Sequence, residues 1–570
     1  MLRAYQQGVN KASGVTVFPH AIAQGASWDV DLVRRVSNAT AIEARILSEQ
    51  AYVKTHGASA GGVLSCDGGP LANSAHDPRW GRISETYGED PLHIQTIGVA
   101  AMKGLQNPQP VPGGKPEDVF FATRQVTRHY IGYHGASPDI QGTRGGPPIT
   151  FVATNRSLAD SYFPTYGAFQ SPSAGRADGI MCAMSQLNGV PSCGSELLLK
   201  TMLREAWGSD AIVQSDCCDS VQTMKGEISP HTGKPVVNNT EALGLAVNSG
   251  LGAYFGYWVS PFRDSMADLL GPAEYGNGET VSAATLKAVA KRVLLSHFRL
   301  GFFDAHAGDF PFANETLDYE LLDGTEHRAL AREAAAASTV LLKNEAEALP
   351  LTAPKSIAVV GPFAACSSTD PSPTHLDAKD GMCYLHSYNG NPSNITSIFG
   401  GIAAAGAAAG ASVSYTQGSN LTCPQVTRSG GSVGDFDCVA DSSSKFFSPA
   451  AAAGIAAAVS AAKSAEVTVL AVGLGAVMES EGGDRVNMTL PSVQRQLLTA
   501  VAAAAKKLVL VVVSAGGVDL DESKASAVLY APYGGEEAGS GLADILFGHV
   551  NPSARLPVTV YKQAWADSMK

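Results

Sequence analysis

Short apolar runs, spaced by helical patterns and ending in polar residues, constrain this chain more than any other feature. Gly179-Ile180-Met181-Cys182-Ala183-Met184 is one such run, followed by the turn Asn188-Gly189. Ala211-Ile212-Val213 is a buried strand that leads directly into Gln214-Ser215-Asp216. Val119 to Thr123 is a third and points towards Arg128-His129-Tyr130. Helical patterns at Ser195–Trp207 and Asn239–Ser249 separate runs of this kind, so the chain up to about residue 300 reads as parallel β/α units. A TIM-type barrel keeps its reactive groups at the C-terminal ends of its strands, which singles out the polar residues that close each run.

With 570 residues the chain is too long for one core and needs a second. Residues 301–324 lack periodicity and read as a linker. A helix over Thr325–Ala337 opens the next unit, with strands at Ser356–Val360, Val467–Val472, Leu508–Val513 and Ala527–Tyr530. Ala-rich helices fall near Pro449–Ala465 and Pro491–Lys506, and Gly400 to Val413 reads as one packed helix. The expected architecture is α/β: a TIM-type (β/α) barrel over 1–300, which can be incomplete at its N-terminus, the linker 301–324, and an α/β sandwich over 325–570. The Ser-, Gly- and Cys-rich insertion between about 366 and 448 is expected to form loops with some strand.

Charge and motif content exclude several functions. A formal charge of -12 argues against nucleic-acid partners. No run of 18 or more apolar residues is present, as a membrane span would need. Gly473-Leu474-Gly475 lacks the third glycine and helix of a dinucleotide site. The two Gly-x-Ser-x-Gly matches, at 57–61 and 430–434, do not sit on a strand-turn-helix. Seven Asn-x-Ser/Thr sequons, at Asn38, Asn155, Asn238, Asn314, Asn394, Asn420 and Asn487, point to glycosylation and an extracellular setting. The locally spaced pairs Cys182/Cys193, Cys366/Cys383 and Cys423/Cys438 fit disulfides better than a zinc site. The N-terminus lacks the basic-then-apolar lead of a signal peptide and reads like the middle of a domain.

The most specific stretch is Asp77-Pro78-Arg79-Trp80-Gly81-Arg82-Ile83-Ser84-Glu85-Thr86-Tyr87-Gly88-Glu89-Asp90-Pro91. Two prolines, two glycines and six charges in fifteen residues make a poor helix or strand. Two arginines beside a tryptophan set hydrogen-bond forks next to a flat apolar face, which suits a sugar. This string closely resembles the signature of glycoside hydrolase family 3, in the branch of plant and fungal β-xylosidases and α-L-arabinofuranosidases. The similarity runs from about Phe18 to Val560. It implies that Arg82 hydrogen-bonds the sugar at the cleavage subsite, and that Arg128 and His129, standing where the family carries Lys-His, bind sugar hydroxyls. Trp80 is expected to pack beneath the loop.

Cleaving a glycosidic bond takes two carboxyl groups, one of them a nucleophile in a retaining enzyme. Asp216, in a segment similar to the family's Val-Ser-Asp-Cys-Asp-Ser-Val, is the nucleophile candidate, with Asp219 as the fallback. On position alone Asp216 would also suit a helix cap. The acid/base candidate lies in the loop Gly473 to Arg485, similar to the xylosidase-type Glu-Ala-Glu-Gly-x-Asp-Arg; Glu481 is the choice and Glu479 the alternative. Asp484 and Arg485 are expected to brace that loop. The resemblance implies a retaining, exo-acting hydrolase that releases terminal β-linked sugars, β-D-xylose first, from plant-wall oligosaccharides, with no metal or organic cofactor. β-Glucosidase, α-L-arabinofuranosidase and a catalytically impaired carbohydrate-binding homologue are the alternatives.

Four departures bear on activity. Leu2 to Val9 holds no carboxylate where the family has an acidic sugar-binding residue, and Met184 replaces a tyrosine. Gly250 to Phe255 lacks the family's Asp-Leu-Asp strand end, and the chain stops at Lys570 short of a fibronectin-like domain. The first and last are what a fragment or a faulty gene model would show.

Overall fold

The computed structural model describes the chain except for residues 1–2, 55–63, 67–68, 108–119, 134–149, 172–175, 217–219, 222–223, 255–268, 270–277, 279, 305–310, 313–316, 366–383, 420–448, 477, 482, 486 and 569–570. The fallback nucleophile Asp219, the pairs Cys366/Cys383 and Cys423/Cys438, and the sequons at Asn314 and Asn420 lie outside the described residues.

An antiparallel hairpin, β1 (Arg3–Tyr5) and β2 (Gly8–Asn10), precedes the first sheet. That sheet contains β3 (Ser65–Cys66), β4 (Arg124–Tyr130), β5 (Gly179–Cys182), β6 (Ile212–Ser215) and β7 (Leu251–Ala253). The strands lie side by side in chain order and every pairing is parallel. A parallel sheet laid down strictly in sequence is the wall of a β/α barrel, with five strands among the described residues. Its outer helices include Pro91–Gln106 and Asn239–Ser249, both started by a side-chain cap, Asp90 and Asn238, on the N–H three residues on.

β5 and β6 arise where apolar runs are expected, and all eight of their residues are buried. β4 does not. It lies beyond the apolar run at 119–123, and its last six residues, including Gln125, Thr127, Arg128 and His129, are buried. The periodicity fails there because the interior positions of β4 carry polar groups that find partners inside the barrel. Cys182, at the end of β5, is joined by a disulfide to Cys193.

The second sheet holds β8 (Val340–Asn344), β9 (Ser356–Val360), β10 (Ser412–Thr416), β11 (Val467–Gly473), β12 (Leu508–Val513) and β13 (Ala527–Tyr530), in the order β8-β13-β12-β11-β9-β10. Only β8 runs antiparallel. All residues of β11 and β12 are buried, as central strands covered on both faces must be. β10 was hidden inside the Ala-rich stretch. The helix there ends at Ala408, Gly410 takes a left-handed φ of +78°, and the half-exposed edge strand starts at Ser412.

The helix Ile398–Ala408 touches the helix Ala538–Leu546 almost backbone to backbone. A Cβ at Gly539 would lie 1.9 Å from the Ser397 carbonyl oxygen, and one at Gly401 would lie 2.1 Å from that of Gly539. Gly539→Ala is therefore expected to lose about 1–3 kcal/mol in urea unfolding, although alanine favours an isolated helix by about 1 kcal/mol. Unchanged or increased stability would contradict this packing.

Candidate active site

The signature loop is built by local hydrogen bonds and then docked onto the second sheet's loops. Asp77 takes both a backbone N–H and the side-chain fork of Arg79. The chain turns through a short 3-10 helix, Ile83–Glu85. The Gly81 N–H donates to Asp484 Oδ1 at 2.8 Å, and the Arg485 N–H donates to the Arg79 carbonyl at 2.7 Å. A side chain at position 81 could not fit, because its Cβ would meet the Ser480 and Gly483 carbonyl oxygens at 2.3 and 2.5 Å. Trp80 is buried and meets Tyr133 edge-on, so it packs beneath the loop as expected.

Glu85 organises the buried charges. Both of its oxygens accept from Arg82, at 2.6 and 2.8 Å, and Oε2 also accepts from Arg128 at 2.6 Å. All three side chains are at most 6% exposed. Burial alone would push the Glu85 carboxyl up, but Arg82 and Arg128 outweigh it and hold it down at about 2. Burial likewise opposes the charge on Arg82, and Glu481 and Glu85 restore it with a surplus. Glu85 lies inside the signature, yet nothing about its residue type marks it as the centre.

His129 sits between this cluster and Asp216. Its ring nitrogens face Asn73 Oδ1 at 3.1 Å (Nδ1) and an Arg128 N–H at 3.2 Å (Nε2). A guanidinium can only donate, so Nε2 accepts and the proton belongs on Nδ1. Burial, then Arg82 and Arg128, push the imidazole well below its usual range, so it is neutral. Asn73 fixes it further by accepting from the His129 N–H and donating to the His129 carbonyl and the Tyr166 hydroxyl. Asp216 Oδ2 lies 3.6 Å from Nε2. Asp216 directly follows β6, is buried, and receives support from the Cys182 carbonyl, which accepts its N–H at 3.2 Å.

The two glutamates of the acidic loop differ sharply. Glu479 is fully buried and accepts from the Ala515 and Gly516 N–H groups and the Tyr533 hydroxyl, with Arg485 at 3.8 Å. Burial raises its pKa against those donors. It braces the loop from within. Glu481 points the other way: its side chain is 37% exposed and Oε1 accepts from Arg82 at 3.1 Å. The bracing expected of Asp484 and Arg485 is present through Gly81 and Glu479.

Aromatic groups complete the site. The Tyr388 hydroxyl donates to Glu481 Oε2, and its ring stacks on Tyr5 at 5.3 Å. The Arg82 and Arg128 guanidinium groups each lie 5.8 Å from the Tyr388 ring centre. Tyr133 packs on His129 at 4.8 Å and under Arg82 at 5.4 Å. Burial raises the Tyr133 hydroxyl's pKa; Arg82 opposes this, and Glu481 and Asp216 both add to it. Met184 is partly buried against the apolar cluster that holds Tyr133 and Trp80. Tyr5, Asn73, Tyr133 and Tyr388 were not foreseen, since single residues in unremarkable contexts carry no pattern. Among the described residues, no group of three or more His, Cys, Asp or Glu could hold a metal ion, and no helix is long and apolar enough to cross a membrane.

Comparison with known proteins gives a consistent family. Residues 5–294 match the glycosyl hydrolase family 3 N terminal domain, and residues 339–568 match the family's C-terminal domain. A "Beta-xylosidase/alpha-L-arabinofuranosidase 2" of Medicago sativa subsp. varia is 31% identical over 98% of this chain and 63% of its own length. "Beta-D-xylosidase 3" of Arabidopsis thaliana is 30% identical over 98% of this chain and 62% of its own. The chain thus spans less than two thirds of those relatives. A solved "GH3 exo-beta-xylosidase (XlnD) in complex with xylobiose aziridine activity based probe" superposes with a TM-score of 0.77 at 25% identity, covering 99% of this chain and 64% of that one.

The charge cluster sets a pH-dependent stability. Glu85 has a lower pKa folded than unfolded, so its contribution is present above about pH 4.5 and fades as pH falls towards 2. Glu85→Gln is expected to cost about 3 kcal/mol in urea unfolding at pH 7, with the gap to wild type narrowing between pH 4.5 and 2. An equal gap at pH 3 and pH 7 would contradict the ion cluster.

Proposed function

This chain belongs to glycosyl hydrolase family 3, and from that premise we propose that it is a retaining, exo-acting glycoside hydrolase. Its substrate is a terminal β-linked sugar on a plant-wall oligosaccharide, with β-D-xylose the first choice. The names of the plant relatives support that choice. The observation that carries the reading is the chain of contacts from Glu481 through Arg82, Glu85, Arg128 and His129 to Asp216, with the two carboxylates supplied by different halves of the chain.

In this reading the Asp216 carboxylate attacks the anomeric carbon and forms a glycosyl ester as the bond to the leaving oxygen breaks. Glu481 gives its proton to that oxygen, then takes one from the water that hydrolyses the ester and returns the Asp216 carboxylate. Arg82, Arg128 and His129 hold the sugar hydroxyls. His129 stays neutral, with its proton on Nδ1, so that Nε2 can accept from a sugar hydroxyl, and Arg82 remains charged throughout. The Arg128 guanidinium is larger than the lysine the family resemblance implies, but Glu85 fixes its plane.

Met184 favours a second reading, a homologue that binds carbohydrate without turning it over, since its thioether donates no hydrogen bond. The extracellular setting belongs with either reading. Of the sequons among the described residues, Asn155, Asn238 and Asn394 are exposed and open to glycosylation.

A panel of aryl β-xylosides, β-glucosides and α-L-arabinofuranosides decides between the two. Wild type should turn over the xyloside best, and Asp216→Ala should lose about 10⁴-fold in kcat. Undiminished turnover by the variant removes Asp216 as nucleophile, and a folded wild type inert on every glycoside supports the binding reading.

A further inference from the structure

We infer that Tyr388 is a positioning residue that aims Glu481 at the leaving oxygen, an inference that rests on the acid/base reading of Glu481 above. Glu481 stands on a loop and its side chain is 37% exposed, a setting in which a carboxylate wanders among rotamers unless it is tied. Its two carboxylate oxygens meet different donors. Oε1 accepts from Arg82, which the bound sugar's hydroxyls would compete for. Oε2 accepts from the Tyr388 hydroxyl.

The segment that presents Tyr388 is fixed on both sides. Towards the first half of the chain, Gln7 Nε2 donates to the Tyr388 carbonyl at 2.9 Å and the His20 ring meets the Ser387 carbonyl at 3.0 Å. The Lys11 N–H donates to the Asn389 carbonyl at 2.9 Å, and the Asn391 N–H donates to the Ala12 carbonyl at 2.7 Å. Towards the acidic loop, His386 hydrogen-bonds the Glu479 carbonyl, two residues before Glu481. The backbone pays for this placement in conformational strain: His386 and Tyr388 both sit in the left-handed region, at φ of +62° and +60°. Non-glycine residues hold that conformation only where their surroundings over-determine it, and such residues gather at functional sites. The ring is seated as well, stacked on Tyr5 with an interplanar angle of 15°. A rigid hydroxyl is thus carried from the hairpin side of the site to the acid's second oxygen. General acid catalysis needs that kind of support, because a misplacement of about 1 Å can cost on the order of 100-fold.

Removing only the hydroxyl tests this. Tyr388→Phe keeps the ring, the stack and the strap. Its kcat/KM, which reports only the step that breaks the glycosidic bond, should fall by about 30- to 100-fold for a phenyl glycoside, which needs the proton, and by less than about 3-fold for the 2,4-dinitrophenyl glycoside, which does not. Gln7→Ala, which loosens the strap without touching the ring, should show the same selectivity to a smaller degree. Glu481→Ala is measured beside them on both substrates. If Glu481→Ala is selective for the poor leaving group and Tyr388→Phe loses activity equally on both, or on neither, the role of Tyr388 is overturned and the acid/base reading stands. If Glu481→Ala is itself unselective, that reading falls, and the role of Tyr388 with it.

Discussion

One carboxylate, Glu85, allows two guanidinium groups to be buried side by side. Arg82 and Arg128 come from different elements, the signature loop and β4, and neither could leave water unpaired without a penalty of several kcal/mol. Glu85 bonds to both at 2.6 Å and stays ionised even when strongly acidified. The pairing is incomplete by design of the count: two cations face one anion. The surplus positive charge adds to burial in keeping His129 neutral, and it attracts Glu481. The electrostatic character of the whole site follows from this triad.

The same triad ties the halves of the chain together. The signature loop belongs to the barrel-like first half, yet its Gly81 N–H donates to the Asp484 side chain of the acidic loop and its Arg82 reaches Glu481. Only glycine permits the close approach at position 81. Glu481 and Asp216, the proposed acid and nucleophile, therefore sit on separate scaffolds whose distance is set by loop-to-loop contacts. Such a site depends on the accuracy of docking, which explains why so many hydrogen bonds between the hairpin, the His386–Asn391 segment and the acidic loop surround it.

The sequence was legible where burial is uniform. Ser356–Val360, Leu508–Val513 and Ala527–Tyr530 appear as strands with the boundaries read from their apolar runs, and the Asn239–Ser249 helix likewise. It was misleading where burial and polarity coincide. β4 carries Arg128 and His129 on its buried positions, so its pattern resembles a loop. The edge strand β10 vanished into alanines for the opposite reason, too little burial to leave a period. Within the site, Arg82, Arg128, His129, Asp216 and Glu481 came from motif resemblance, and the structure brings them into one network. Glu479 and Glu481 are indistinguishable as letters two residues apart; their opposite directions appear only once Ala515, Gly516 and Tyr533 enclose the first. Tyr133 and Tyr388 act through space, on residues hundreds of positions away in one case, and no local window holds that information.

The claim on which all else rests is that Asp216 is the group that attacks the sugar. A 2-deoxy-2-fluoro-β-xylosyl fluoride slows the breakdown of a glycosyl ester and traps it on the nucleophile. Digestion of the labelled protein and mass spectrometry of its peptides should place the fluorosugar on Asp216. A label on Asp219 or on any other residue, or no label on an enzyme that the reagent demonstrably inactivates, would contradict the account.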